Sequence, residues 1–270
     1  MKPLIRELES TVELEKCVEI QSLVWGLPVG ETVSVQILTT CLEHNSLLLG
    51  SFYGDLLTGF CFSIPSRWRG TSAHHSHMLA VLPDYQDQGT GFALKKAQFN
   101  SLMDTVEWIT WTFDPLESRN ARLNLKLGVS ISTYLQDLYG DGGTCGLHQG
   151  LGTDRFVAEW STGSRRPPGE KQSNYVKNSG IPVLVTEWDK KGFYRPLDID
   201  LTRHEPSLLL EIPENIQKIK NSAPDCAREW RSATRKGLEY YFGKGYTIRK
   251  FHTFTDTRPR IRRSFYILSR

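Results

Sequence analysis

His74, His75 and His77 lie close together in the stretch Ala73-His-His-Ser-His-Met-Leu-Ala-Val81. Its small and apolar residues predict a β-strand. Strand side chains alternate between faces, so His75, His77, Leu79 and Val81 are expected on one face, looking into a cleft. Imidazole titrates near neutrality, which suits it to general acid or base work. The same histidines also fit two other readings, polar strand positions bonded to neighbouring loops and a metal-like cluster; no metal is expected.

Immediately after this strand comes Leu82-Pro-Asp-Tyr-Gln-Asp-Gln-Gly-Thr-Gly91, followed by helix formers. A strand that passes through a glycine-bearing turn into a helix presents backbone N–H groups with no intrahelical acceptor, which attracts phosphate. Gly89 and Gly91 lack the Cβ atoms that would keep an anion away from those amides, and the Gln86 side chain could donate a further hydrogen bond. A pyrophosphate is the natural occupant. Two other readings fit the glycines, a simple chain reversal and a dinucleotide fingerprint with Asp114 as its ribose-binding acid. The dinucleotide motif normally follows the first strand of a parallel domain, whereas about eighty residues with hairpin signals precede this one.

The elements that would position these groups are legible from periodicity. After a short first strand, helices are expected over Thr11–Trp25 and Val33–Leu42, then a hairpin of Ser46–Phe52 and Leu56–Ile64 turning at Tyr53-Gly-Asp55. Pro65–Thr71 reads as a polar loop before the histidine strand, and Phe92–Met103 as the helix after the turn. Strand Glu107–Phe113, helix Ser118–Leu127 stopped by Gly128, and strands Ser130–Leu135 and Arg155–Trp160 follow. The segment Ser161–Gly180, rich in Pro, Gly, Ser and charge, reads as a linker. The expected division is residues 1–163, a linker over 164–180, and a smaller unit over 181–270. That unit should contain strands Ile181–Trp188, Ser207–Ile212, Tyr246–Phe254 and Arg262–Leu268. It should also contain a helix from Pro224 to about Gly243, opened by a capping box at Ser222-Ala-Pro-Asp225. The fold class is α+β: a mixed, mostly antiparallel sheet flanked by helices, with a smaller C-terminal α+β unit.

Composition sets the outer bounds. The 270 residues are 39% hydrophobic and carry a formal charge of +3, as expected of a globular chain with no strong call for nucleic acid. The N-terminus is charged throughout, without an apolar segment, and no apolar run is long enough to span a bilayer, so a cytoplasmic location is expected. Cys17, Cys41, Cys61, Cys145 and Cys226 are odd in number and never form a C-x-x-C pair, which suggests neither disulfides nor a zinc site.

The string Val81-x-Pro83-x-Tyr85-Gln86-x-x-Gly89-x-Gly91-x-x-Leu94 resembles the acyl-CoA-binding motif of the GNAT superfamily of N-acyltransferases, V-x-P-x-x-[RQ]-x-x-G-x-[GA]. The resemblance extends from Met1 to about Trp160. It implies a GNAT-like fold and acyl-CoA, either acetyl-CoA or succinyl-CoA, as co-substrate. The amides of Gln88, Gly89, Thr90 and Gly91 would hold the pyrophosphate, and backbone groups of Leu79 and Val81 would pair with pantetheine where two strands splay apart. Gln86 and Asn120 would also lie at the cofactor. The histidine strand is similar to that of arylalkylamine N-acetyltransferases, which implies a catalytic role for His75 and His77. Many family members place a tyrosine, the acid for the leaving thiolate, where this chain has Asn124; the thiolate could leave unassisted, Tyr134 or Tyr139 could take that part, or Asn124 could orient the sulfur.

The phrase Asp114-Pro-Leu-Glu-Ser-Arg-Asn-Ala-Arg122 is similar to a bacterial GNAT subfamily, some members of which are associated with enzymes of N-succinylamino acids. In the C-terminal helix, Ala227, Trp230, Leu238 and Tyr241 form an apolar stripe while Arg228, Arg231, Arg235 and Lys236 supply charge. Arg231 and Arg235, one turn apart, could bind a substrate carboxylate or could belong to a solvated face near Glu229. Arg165, Arg166 and Arg258–Arg263 read as surface or linker charge. The expected activity is transfer of an acetyl or succinyl group to the amine of a small metabolite, an amino acid among the candidates, by direct attack in a ternary complex. A protein N-acetyltransferase and a non-catalytic acyl-CoA sensor are the alternatives, and a homodimer is an open option.

Overall fold

A computed structural model describes residues 3–140, 150–163, 180–256 and 260–270. Cys145, Arg165, Arg166, Arg258 and the linker expected over 164–180, save Gly180, lie outside the described residues. The chain divides into two compact units, Met1–Trp111 with Glu159–Pro168, and Thr112–Ala158 with Gly169–Arg270. The architecture is α+β with mostly antiparallel strands.

The first unit opens with β1 (Leu4–Glu7), α1 (Thr11–Trp25) and α2 (Val35–Glu43). Ser10 caps α1 through a capping box with Glu13, so two of the orphan amides at that end are satisfied reciprocally. Then come β2 (Leu47–Tyr53), β3 (Leu56–Trp68), β4 (Thr71–Val81), α3 (Thr90–Leu102) and β5 (Trp108–Phe113), whose last two residues fall in the second unit. The strand order is β1-β2-β3-β4-β5, antiparallel except for the parallel β4–β5 pair. The core on one face joins Leu14, Cys17 and Ile20 of α1 and Leu38 of α2 to Phe60, Phe62, Met78 and Ala80 of the sheet. The polar loop expected over Pro65–Thr71 is instead the end of a long hairpin. Strand β3 runs through Pro65, which faces His74, and reverses at Arg69-Gly70, both at positive φ.

The second unit holds α4 (Ser118–Leu127), β6 (Ser130–Leu135), β7 (Arg155–Ser161), β8 (Ile181–Pro182), β9 (Leu184–Trp188) and β10 (Tyr194–Ile199). After these come β11 (Ser207–Ile212), α5 (Ile216–Ser222), α6 (Pro224–Gly243), β12 (Thr247–Thr255) and β13 (Arg262–Ser269). Strand β7 is shared between the units in the same way as β5. Here the order is β7-β6-β12-β13-β11-β8, and β9 pairs with β10 as a separate hairpin. The core is aromatic: Phe156, Trp230, Tyr241, Tyr246 and Tyr266 are all buried, with Phe156 stacked on Phe242 at 5.7 Å.

Two expectations about α6 are corrected. Ser222 does not cap it, because Ser222 is the last residue of α5; Ala223 precedes the helix without a side-chain cap. Arg231 belongs to the buried stripe rather than the charged face, lying with Ala227, Trp230, Thr234, Leu238 and Tyr241 on the covered side. Cys17, Cys61 and Cys226 are buried free thiols, and Cys41 is a partly buried one. No described helix is long and apolar enough to cross a membrane.

Candidate active site

Strand β4 carries the histidines, and its pairing decides where they point. Residues directly opposite in an antiparallel ladder share a face. Phe60 faces Ala80 and Phe62 faces Met78 on the side covered by α1 and α2, whereas Cys61 faces Leu79 and Gly59 faces Val81 on the other. Between the Phe62–Met78 and Ser63–Ser76 pairs the register slips by one residue, which leaves His77 as the extra residue of a β-bulge. Below the bulge Ile64 faces His75, so His75 lies on the Phe62 side and Ser76, opposite Ser63, on the Cys61 side.

The bulge therefore separates residues that simple alternation places together. His75 and His77 do sit as neighbours, with ring centroids 6.4 Å apart, and His77 stands edge-on to Phe62 at 6.2 Å. Leu79 and Val81 project to the opposite face, which corrects the single face expected for all four residues. His74 also turns to that opposite side, buried with its Nδ1 3.2 Å from the Ser63 hydroxyl.

The imidazoles are tuned towards the neutral form. The pKa of His75 is lowered by burial first, then by the neighbouring His77 and by Lys95. His77 is exposed, yet the protein around it still removes enough water to lower its pKa as well. His75 Nδ1 lies 3.4 Å from Thr110 Oγ1 on β5, a contact that can hold the ring's orientation.

Pairing between β4 and β5 runs through Ala73–Trp108, His74–Ile109 and His75–Thr110 and goes no further among the described residues. Beyond His75, β4 continues to Val81 without ladder pairing to β5. That opening leads straight into the turn. Pro83–Tyr85 form a short 3₁₀ segment, Asp87 has φ 58°, and Gly89 has φ 86° as the residue that precedes α3. At that φ an L side chain is strained, so glycine is required at 89. Helix α3 begins with no side-chain cap, so the amides of Thr90 and Gly91 point outward without an acceptor from the helix itself. The space next to Gly89 is open, with no atom within 4 Å of where a Cβ would stand. A pyrophosphate fits the chemistry of this cradle.

Other polar groups of the turn are turned inward. Gln86 donates through Nε2 to the Val81 carbonyl at 2.7 Å, Gln88 donates to the Asp84 carbonyl at 2.7 Å, and the Thr90 hydroxyl donates to the Tyr85 carbonyl at 3.2 Å. These bonds fix the loop, so the Gln86 side chain serves the backbone in this structure.

On the Cys61 side of β4, sequence reading missed Lys95. It is buried on α3, donates to Ser76 Oγ at 2.9 Å and to Gln98 Oε1 at 2.8 Å, and sits 3.5 Å from the centre of the Trp111 ring. Desolvation lowers its pKa to about 8. The signal in the sequence was Lys95 in a helical row with Leu94, Gln98, Phe99 and Leu102, but a lysine there also fits a solvated face.

The remaining expected residues lie in the second unit. Asn120 is exposed and Asn124 buried, both on α4. Tyr134 donates its hydroxyl to Asp154, and burial together with that carboxylate raises its pKa. Tyr139 is exposed, with its hydroxyl 3.4 Å from Thr112 Oγ1. Arg231 pairs with Asp114 at 2.6 Å and donates to the Leu151 carbonyl at 2.9 Å. Arg235 pairs with Asp154 at 2.5 Å and Asp137 at 2.9 Å. Glu229 pairs with Arg195, not with either of these arginines.

The first unit thus supplies a strand edge opening beside two neutral imidazoles and leading into an uncapped helix terminus, an arrangement suited to an extended, phosphate-bearing ligand. No protein-family profile matches the chain, and no curated protein sequence matches it. Solved structures do resemble it. The ribosomal-protein-S18-alanine N-acetyltransferase from Escherichia coli is 18% identical, with 64% of this chain and 99% of that one covered and a TM-score of 0.47. A GNAT family acetyltransferase from Elizabethkingia anophelis with acetyl-CoA bound is 14% identical over 59% and 98%, TM-score 0.47. The ribosomal-protein-alanine N-acetyltransferase from Brucella melitensis is 15% identical over 58% and 99%, also at 0.47. At these identities and scores, what those proteins acylate says nothing of this chain.

Proposed function

We propose that the chain is a GNAT-type, acyl-CoA-dependent N-acyltransferase. The observation that carries this reading is the end of β4–β5 pairing at His75–Thr110, with the free strand running into the Gly89–Gly91 helix start. An acyl-pantetheine arm would add to the open strand edge, and its pyrophosphate would rest on the amides of Gln88, Gly89, Thr90 and Gly91. The thioester would then lie beside His75 and His77. Their lowered pKa values leave them neutral at physiological pH, able to accept the ammonium proton directly or through water. The amine lone pair attacks the acyl carbon, and the thiolate departs as the amide forms.

Acetyl or succinyl is the group transferred, and the acceptor is a small amine, with amino acids among the candidates. The reading assigns no general acid, because the Tyr134 proton is held by Asp154. That bond also favours the second reading, a non-catalytic acyl-CoA sensor. Thiol release from acetyl-CoA and succinyl-CoA against a panel of amines and amino acids tests both. Turnover with any amine supports the transferase, saturable CoA binding without turnover supports the sensor, and no CoA binding removes both.

A further inference from the structure

The second unit holds a half-open cavity of about 280 Å³ between the β9–β10 hairpin, the segment joining β11 to α5, and the start of β13. Its walls include Trp188, Phe193 and Tyr194. The fully buried Trp230 is packed behind this wall with its indole N–H donated to the Tyr194 carbonyl at 2.9 Å, so it presents no polar group to a guest. A cavity of this size lies near the lower end of small-molecule sites and suits a guest of about one aromatic ring with a short tail.

The charges at the rim choose between guests. An aromatic cage with carboxylates would suit a cation, but both carboxylates here are engaged. Glu211 accepts from Arg263 at 2.7 and 2.5 Å and from the Thr186 hydroxyl at 2.8 Å. Glu214 accepts from Ser264 at 2.6 Å and pairs with Arg122 and Arg262. The Lys218 ammonium, by contrast, meets no carboxylate among the described residues and stands 5.8 Å from the Phe193 ring centre. The residual charge facing the cavity is therefore positive, set against an aromatic wall.

We propose that this cavity binds a small aromatic monocarboxylate, with the ring against Trp188 and Phe193 and the carboxylate at Lys218. The site is separate from the acyl-CoA reading and does not depend on it.

The test uses the full chain and two probes of equal shape, 3-phenylpropanoate and its neutral amide, with binding followed by ligand-observed NMR and calorimetry. The carboxylate is expected to bind saturably and about fivefold tighter than the amide, the scale of a partly exposed charge pair. Lys218→Gln, at an exposed position, should remove that preference and leave amide binding intact. Trp188→Ala should weaken both probes. Absence of saturable binding, equal binding of the two probes, or a preference unchanged in Lys218→Gln would each overturn the proposal.

Discussion

The Lys95 ammonium lies 2.9 Å from the hydroxyl of Ser76, the residue that separates His75 from His77 on β4. This buried cation donates to two neutral groups, the Ser76 hydroxyl and the Gln98 amide oxygen, and lies over the face of Trp111. A charge held this way costs stability, and such groups cluster at functional sites. It ties α3, whose first turn forms the proposed phosphate cradle, to the strand at the bulge that orients the imidazoles.

The cost of burying Lys95 predicts an unusual pH dependence of stability. Its pKa falls from 10.5 to about 8 on folding, so the unfolded chain binds the extra proton between those values. The penalty is full below pH 8, roughly 3 kcal/mol, and fades as pH rises towards 10.5. Urea unfolding should show the native chain gaining stability over that interval relative to Lys95→Met. Parallel pH curves for the two proteins would refute the assignment.

Gly91→Glu should separate folding from binding. Glutamate in the first turn of a helix favours the macrodipole and replaces a poor helix former, so stability should hold or rise by about 1 kcal/mol. The same carboxylate stands where a pyrophosphate would lie, so CoA affinity should fall below detection in calorimetry. Unchanged affinity in the folded variant would remove the cradle.

Much of this site was legible in the sequence. The histidine strand, the glycine turn and the helix after it were all marked by local chemistry, because strand alternation and the demand for positive φ at Gly89 act over a few residues. The bulge at His77 was not, since nothing local distinguishes a strand with one extra residue from a regular one; only its partner's register does. Pro65 lies within β3, where local rules favour a break, and β10, which carries Pro196, was not expected from the sequence. The partners of Arg231 and Arg235 were hidden for a different reason: Asp114 and Asp154 lie 117 and 81 residues away, beyond any sequence window.

The histidine pair predicts where the acid limb of the rate should fall. Catalysis needs neutral imidazole, and the folded pKa values are lowered below 6.5, so activity should persist as pH drops through 6.5 and decline only below it. Replacing both His75 and His77 by alanine should cut kcat by about 100-fold or more and abolish that limb, with CoA affinity retained. A double variant with native kcat and the same profile would show that bulk water or another base takes the proton.

Arg231→Ala tests whether that arginine serves the fold or a substrate. In the structure its guanidinium is buried against Asp114, at 6% and 4% side-chain exposure, with the Asp154 carboxylate 3.8 Å away. Removing one member of a buried pair leaves the other charge without its closest partner, a loss of about 3 to 5 kcal/mol. The second unit should therefore unfold at markedly lower denaturant, and the loss should be the same whether or not succinyl-CoA or an amino acid is present. The double replacement Asp114→Asn with Arg231→Met should recover part of the stability, because the two opposite charges leave together, while the buried Arg155, 3.9 Å from Asp114, limits the recovery. A substrate-binding arginine predicts the reverse pattern, native stability with a raised KM for reactants bearing a carboxylate. If Arg231→Ala unfolds like the native chain and loses only affinity for those reactants, the Asp114 pair is incidental and the arginine belongs to the acceptor or donor site.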